Sequence, residues 1–270
     1  MDIDYTPETR RDRITEQWVA FAPTRSDRPH RTGSPETSDE PTASDRPVEG
    51  CPFCPGHEEM LPSVLREYDG DGLWRTRVVP NKFPALTSDA PAAGPSADLY
   101  EARPSRGQQD VIIDTPSHHR SPAHFSPDQM DALLRTYQER YCHLREADED
   151  LLPILFRNHG ARAGASIDHP HSQLIALSFA PPLMQREEAA ARARYDEMDT
   201  CPYCAMIETE LTENARLVRV TDTFVAFVPY AAREPYEIWM LPRRHSPEFG
   251  RLAETERHAL GPLLQDLLWR

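Results

Sequence analysis

The chain has 270 residues, enough for one or two domains with a sizeable core. Its net charge of −14 excludes a general nucleic-acid binder, which needs a basic face. No stretch approaches the ~18 apolar residues of a membrane helix, and residues 1–13 lack the apolar core of a signal peptide, so a cytoplasmic protein with no membrane partner is expected.

Ile14–Pro23 is predicted as the first strand, with Trp18, Ala20 and Ala22 on one face and Val19 and Phe21 on the other. Ser26–Glu49 places Pro29, Pro35, Pro41 and Pro47 among Ser, Thr, Asp and Glu, with almost no aliphatic residue. It cannot bury enough surface to order itself and is read as a mobile loop. Cys51-Pro-Phe-Cys54 opens the next ordered stretch. A strand over Arg75–Pro80, a turn at Asn81–Pro84, a Pro/Ala-rich loop over Thr87–Ser105 and a short strand at Asp110–Ile113 follow. A helix then starts with Ser126 as N-cap, Pro127 at the first helical position and Gln129 completing a capping box. Met130, Leu133, Leu134, Tyr137, Tyr141 and Leu144 keep helical spacing, and the lone Cys142 in this helix is read as packing. Pro153–Phe156 and Gln173–Leu177 flank a glycine-bearing turn and read as a hairpin.

The chain repeats itself. Val111–His118 resembles Ile238–His245: an apolar strand, a proline, then a histidine seven residues after the first aliphatic. Each copy leads into a helix, with Leu133, Tyr137 and Tyr141 matching Leu260, Leu264 and Leu268, and each is preceded by a C-P-[FY]-C tetrapeptide. The second copy ends inside its helix, so it is expected to lack the last two strands of the unit, as in a truncated chain.

Asp168-His-Pro-His-Ser-Gln173 is the densest chemical signal. On an extended backbone His169, His171 and Gln173 share a face, and two imidazoles with an amide can serve as metal ligand, nucleophile and hydrogen-bond donor. Asn158–Ser166 is a small-residue turn in which Gly164 and Ala165 would let backbone N–H groups approach a phosphate. Cys51-Pro-Phe-Cys54 is half of a zinc-type site and needs two further ligands. His118 and His169 are the natural candidates, His57, His119 and His124 compete, and a redox pair or free thiols is the plainer alternative.

These motifs resemble those of the galactose-1-phosphate uridylyltransferases, the transferase branch of the histidine-triad superfamily. The resemblance runs from Arg11 to Arg270 and rests on Trp18, Ala22–Pro29, Cys51–His57, Asn81–Ala85, Thr115–His118 and Gly164–Gln173. It implies that His171 is the nucleophile, attacking the α-phosphorus of UDP-glucose and holding a uridylyl group that galactose 1-phosphate then accepts. It also implies that Gln173 binds the phosphoryl oxygens, where related hydrolases carry a third histidine. Arg25 and Arg28 match arginines near the phosphates, Asn81 and Lys82 the nucleoside pocket, and Asn158 with Gly164, Ala165 and Ser166 the phosphate-binding turn. Cys51, Cys54, His118 and His169 match the ligands of a structural zinc. Glu187 matches a carboxylate of a second metal site, iron or zinc, whose other ligands fall beyond Arg270. The family implies a homodimer. Lys82 replaces an acidic residue of some members, and Cys201-Pro-Tyr-Cys204 is a pair that some members lack, a second zinc site if His245 joins it.

The expected fold is α+β, with two histidine-triad-like units, each a mostly antiparallel sheet with a packed helix. Residues 1–190 form the first, with the zinc site and nucleophile, and residues 191–270 the incomplete second. Beside uridylyl transfer stand two alternatives: a sister enzyme such as an ADP-glucose phosphorylase, with the pocket at Asn81 and Lys82 choosing the base, and a non-catalytic zinc-binding remnant.

Overall fold

The computed structural model describes residues 7–14, 17–23, 25, 47–69, 73–90 and 100–270. Most of the expected mobile loop over 26–49, and residues 91–99 of the Pro/Ala-rich loop, lie outside them. The chain divides into Met1–Phe179 and Ala180–Arg270. That break precedes a helix, Pro182–Met198, which runs unbroken through residue 190. Among the described residues no helix is long and apolar enough to cross a membrane.

The first unit holds two antiparallel sheets. In the smaller one, β1 (Glu8–Arg11) pairs on one side with β2 (Trp18–Phe21) and on the other with β5 (Glu101–Pro104). The predicted first strand is therefore shorter at both ends. Asp12 and Gln17 close a hairpin, its Ile14 fully in solvent, and the end of the expected Thr87–Ser105 loop is a strand.

The larger sheet carries the site. Its order is β3 (Arg66–Asp69), β4 (Trp74–Pro80), β6 (Gly107–Ile113), β8 (His171–Leu177), β7 (Leu152–Phe156), every neighbour antiparallel. Pro153, which has no N–H to donate, is tolerated because β7 is an edge. The β6·β8 ladder runs from Gly107 opposite Leu177 to Ile113 opposite His171. At Gly107 a Cβ would lie 2.2 Å from the carbonyl oxygen of Ala176, so only glycine lets the two strands close there.

Helix α1 (Pro127–Ala147) covers one face of this sheet and buries Met130, Leu133, Leu134, Tyr137 and Leu144, while Tyr141 stays half-buried. Ser126 caps it, its Oγ accepting from Gln129 N at 3.2 Å. The reciprocal half of the predicted capping box is not made. Gln129 Nε2 instead donates to the carbonyls of Arg75 and Asp114, both at 2.8 Å, because two buried strand-end acceptors need a donor more than an exposed Ncap N–H does.

The sheet face under α1 is unusually polar. Thr76 and Thr136 hydroxyls meet at 2.7 Å, Arg140 pairs with fully buried Asp110 at 2.7 Å, and the Tyr137 and Ser172 hydroxyls hydrogen-bond. Asp114 is also fully buried; its Oδ2 accepts from Arg157 Nε at 3.2 Å.

In the second unit, α2 (Pro182–Met198) and α3 (Pro202–Glu213) precede a three-stranded antiparallel sheet, and each ends on a left-handed residue, Asp199 or Asn214. The order β9 (Leu217–Val220), β10 (Phe224–Phe227), β11 (Trp239–Pro242) reproduces β3-β4-β6 of the first unit, followed in both by a helix, here α4 (Glu254–Trp269). Ile207, Val225 and Phe227 form its core with Leu217, Trp239 and Leu241. The buried side of α4 carries Glu256, Leu260 and Leu263. Leu268, matched above to Tyr141, is exposed, because residues spaced by four drift about 40° around the helix at each turn.

Burial raises the Asp114 carboxyl from 3.8 to about 6 despite the Arg157 guanidinium. The folded state thus holds its proton more tightly than the unfolded chain, and the associated stability is complete below pH 3.8 and lost as pH rises through 6. Asp114→Asn removes this dependence. Between pH 4 and 7 the wild type should lose up to about 3 kcal/mol relative to the variant in denaturant titrations. A stability difference constant over that interval would refute the assignment.

Candidate active site

The opposite face of the large sheet lines a cavity of about 510 Å³ within the first unit. It is bounded by Asn81, Lys82, His118, Ser166, His171 and Gln173, with Phe53, Val79 and Val111 as apolar wall. The β period explains the grouping. Val111 and Gln173 are cross-strand partners, as are Ile113 and His171, so all four lie on the cavity side of the sheet, Ile113 packed beneath it, while Ser172 and Asp110 face α1.

His169 departs from the expected pattern. It lies in the bend before β8 and does not border the cavity; its ring is fully buried against the two cysteines. Its main chain serves the cavity instead, the His169 carbonyl accepting from His171 Nδ1 at 2.8 Å. A carbonyl can only accept, so the Nδ1 of His171 carries the proton, and the neutral ring keeps its lone pair on Nε2. Phe53 packs edge-on against both imidazoles, at 5.4 Å from His171 and 6.0 Å from His169.

Cys51, Cys54, His118 and His169 bring four ligand atoms within 4.8 Å of one another. Sulfur–nitrogen separations are 3.7 Å for Cys51–His169, 3.6 Å for Cys54–His169 and 3.3 Å for Cys54–His118. A tetrahedral zinc with bonds of ~2.3 Å to sulfur and ~2.0–2.1 Å to nitrogen would space such ligands about 3.6 Å apart. The residues therefore fit the metal. His169 Nε2 donates to the Thr115 carbonyl at 2.7 Å, which leaves Nδ1 as the ligating nitrogen, and Val48 N donates to Cys54 Sγ at 3.3 Å. Burial holds His169 neutral, lowering it to about 4, lowers His118 likewise, and raises the Cys51 thiol to about 12. Such thiols ionise only beside a compensating cation. The competing histidines are engaged elsewhere: His57 Nδ1 donates to the Cys51 carbonyl at 2.7 Å, and His124 Nδ1 lies 3.2 Å from Ser121 Oγ. His119 is not in the group, and its ring packs against that of His118 at 4.8 Å.

Other expected site residues are placed less directly. Arg25 Nη1 donates to the Phe83 carbonyl at 2.7 Å and does not border the cavity; Arg28 lies outside the described residues. Asn158, Gly164 and Ala165 do not border it either. The turn uses Gly164 at φ +83°, as a left-handed turn requires, yet the Ala165 N–H donates to the Gly160 carbonyl at 3.2 Å and so is spent within the turn, not offered to an anion. Asn81 Oδ1 accepts from Phe83 N at 2.9 Å, which shapes the turn beside the pocket. Glu187 is an exposed residue of α2 and belongs to neither metal-type group. In the second unit Cys201, Cys204 and His245 form a three-ligand group, with Cys204 Sγ 3.4 Å from His245 Nδ1.

Sequence reading missed Gln109, whose Nε2 donates to Gln173 Oε1 at 3.3 Å. The apolar run that marks this strand in the sequence, Val111–Ile113, does not reach back to Gln109. The available signal was a glutamine two residues before Val111, on the same face.

Fold and site together define a histidine-triad-like nucleotidyltransferase. Residues 1–181 match the family described as galactose-1-phosphate uridyl transferase, N-terminal domain, and the chain belongs to that family. It is 32% identical to the ADP-glucose phosphorylase of Arabidopsis thaliana, over 97% of this chain and 73% of that one. It is 29% identical to the galactose-1-phosphate uridylyltransferase of Thermotoga maritima, over 98% and 74%. Among solved structures, a uridylyltransferase superposes with a TM-score of 0.75 at 28% identity, covering 96% of this chain and 73% of that one. An ADP-glucose phosphorylase from Arabidopsis thaliana with bound ADP-glucose gives 0.70 at 29%, covering 98% and 77%.

Cys51→Ser and His169→Ala should each lower zinc content by about one equivalent and lower thermal stability with it, since a structural metal contributes folding energy. Zinc measured by elemental analysis and unchanged in both variants would move the metal elsewhere.

Proposed function

We propose that the chain transfers a nucleotidyl group from a nucleotide sugar to a sugar phosphate through a covalent adduct on His171. The observation that carries this reading is the bond from His171 Nδ1 to the His169 carbonyl, which fixes the tautomer so that the neutral ring has its lone pair on Nε2, in a cavity lined by Asn81, Lys82 and Gln173. In the first step Nε2 bonds to the α-phosphorus of UDP-glucose, the bond from that phosphorus to the bridging oxygen breaks, and glucose 1-phosphate leaves. In the second, a phosphate oxygen of galactose 1-phosphate attacks the same phosphorus, the P–N bond breaks, and UDP-galactose leaves with His171 restored. The donor at Gln173 stabilises the phosphoryl oxygens and has no acidic proton for a leaving group, which favours transfer over hydrolysis. Zinc at Cys51, Cys54, His118 and His169 would brace the backbone around the nucleophile. A second zinc is proposed at Cys201, Cys204 and His245.

The likeness to an ADP-glucose phosphorylase, one solved with ADP-glucose bound, supports a second reading of the same site. An adenylyl group would then form on His171, and phosphate would be the acceptor.

Incubation with UDP-glucose or ADP-glucose, followed by intact-protein mass measurement, separates the two. A uridylyl adduct supports the first reading and an adenylyl adduct the second. His171→Gly should abolish either adduct while retaining wild-type zinc; a stable adduct on that variant would place the nucleophile elsewhere.

A further inference from the structure

We propose that Gln109 is a positioning residue that fixes which end of the Gln173 amide faces the reacting phosphate. This rests on the reaction just described for what the amide does, though not for how it is oriented. The two ends of a glutamine amide have nearly the same shape, so packing alone does not choose between them. Hydrogen-bond direction does, and here it is set by the backbone.

The N–H of Ala85 can only donate, and it meets the side-chain oxygen of Gln109 at 2.9 Å. The other end of Gln109 is therefore its NH₂, which can only donate, and it meets Gln173 at 3.3 Å. Gln173 must answer with its oxygen, and its own NH₂ is left for the cavity, where phosphoryl oxygens would accept from it. The reversed amide would turn a carbonyl lone pair on those oxygens.

The strand register makes the contact possible. Gln109 lies opposite Ile175 and Val111 opposite Gln173, so Gln109 and Gln173 are diagonal neighbours on one face, within reach of long side chains. Both are nearly buried, and the Gln109 carbonyl takes the Asn81 N–H at 2.8 Å, so the turn beside the pocket and the amide are held by one residue.

Gln109→Glu tests direction with little change of shape. A carboxylate still accepts from Ala85 but cannot donate, so Gln173 must turn its NH₂ away from the cavity. Nucleotidylation of His171, followed by rapid quench and mass measurement, should slow about 100-fold, the cost of losing one well-placed donor. Gln109→Leu, which leaves both orientations open, should slow it about 10-fold. In a Gln173→Ala background both substitutions should have little further effect. Equal slowing in both backgrounds would mean that Gln109 acts through charge or through the fold, and would overturn the proposal.

A second readout needs no reaction. In substrate-free protein, the Gln173 side-chain amide protons, followed by ¹⁵N NMR, should exchange freely with water in the wild type and become protected in Gln109→Glu. Protection already present in the wild type would overturn the orientation. If the wild type forms no adduct with either nucleotide sugar, the proposed reaction fails, while the orientation still stands or falls on these spectra.

Discussion

The antiparallel ladder between β6 and β8 is the constraint on which the rest of the site depends. Because side chains alternate along a strand, one register decides at once what lies above and below the sheet. Above are His171, Gln173, Gln109 and Val111; below are Ser172, Asp110 and Asp114, received by Tyr137, Arg140 and Arg157. A slip of one residue would bring the nucleophile under α1 and a serine into the cavity. The buried polar layer makes that slip costly, since the Tyr137 hydroxyl would lose Ser172 in a dry environment.

The ladder also accounts for the division of labour between two histidines separated by one proline. The chain bends at His169, which frees its ring for the cysteines and its carbonyl for His171. The Cys51–Cys54 turn contributes Phe53 to the wall beside His171, so the metal-type group and the cavity share one loop. Asp114 N donates to the Pro170 carbonyl at 3.1 Å and closes the bend from the other side.

Much of this was legible in the sequence. The helix over Pro127–Ala147 announced itself through Ser126, Pro127 and six apolar positions at helical spacing. The hairpin around the histidine motif was equally plain from its apolar strands, and the repeated strand, proline and histidine showed that β6 and its helix return as β11 and α4; the three-strand order was seen only in the fold. What could not be read was the choice among competing polar partners. Gln129 had the right spacing to cap its own helix and bonds two strand ends instead. Ala165 sat where an anion nest was expected, and its N–H closes the turn. Cys51 and Cys54 allowed five histidines as partners, and only the folded chain selects His118 and His169. Each outcome turns on distances between segments far apart in sequence, which spacing does not contain.

Gly107 gives the ladder a property of a mechanical kind. It stands at the end of β6 remote from His171, and its missing side chain is what allows β6 and β8 to touch there. The two strands are thus clamped at one end by contact between backbones and read out at the other by the nucleophile. A methyl group at Gly107 would act as a wedge, parting the strands near Leu177 and tilting β8 like a beam about its middle. Displacement at the far end would fall on His171 and Gln173, whose work tolerates little misplacement. Sensitivity of the chemistry therefore extends along the strand to a residue that neither borders the cavity nor carries a functional group.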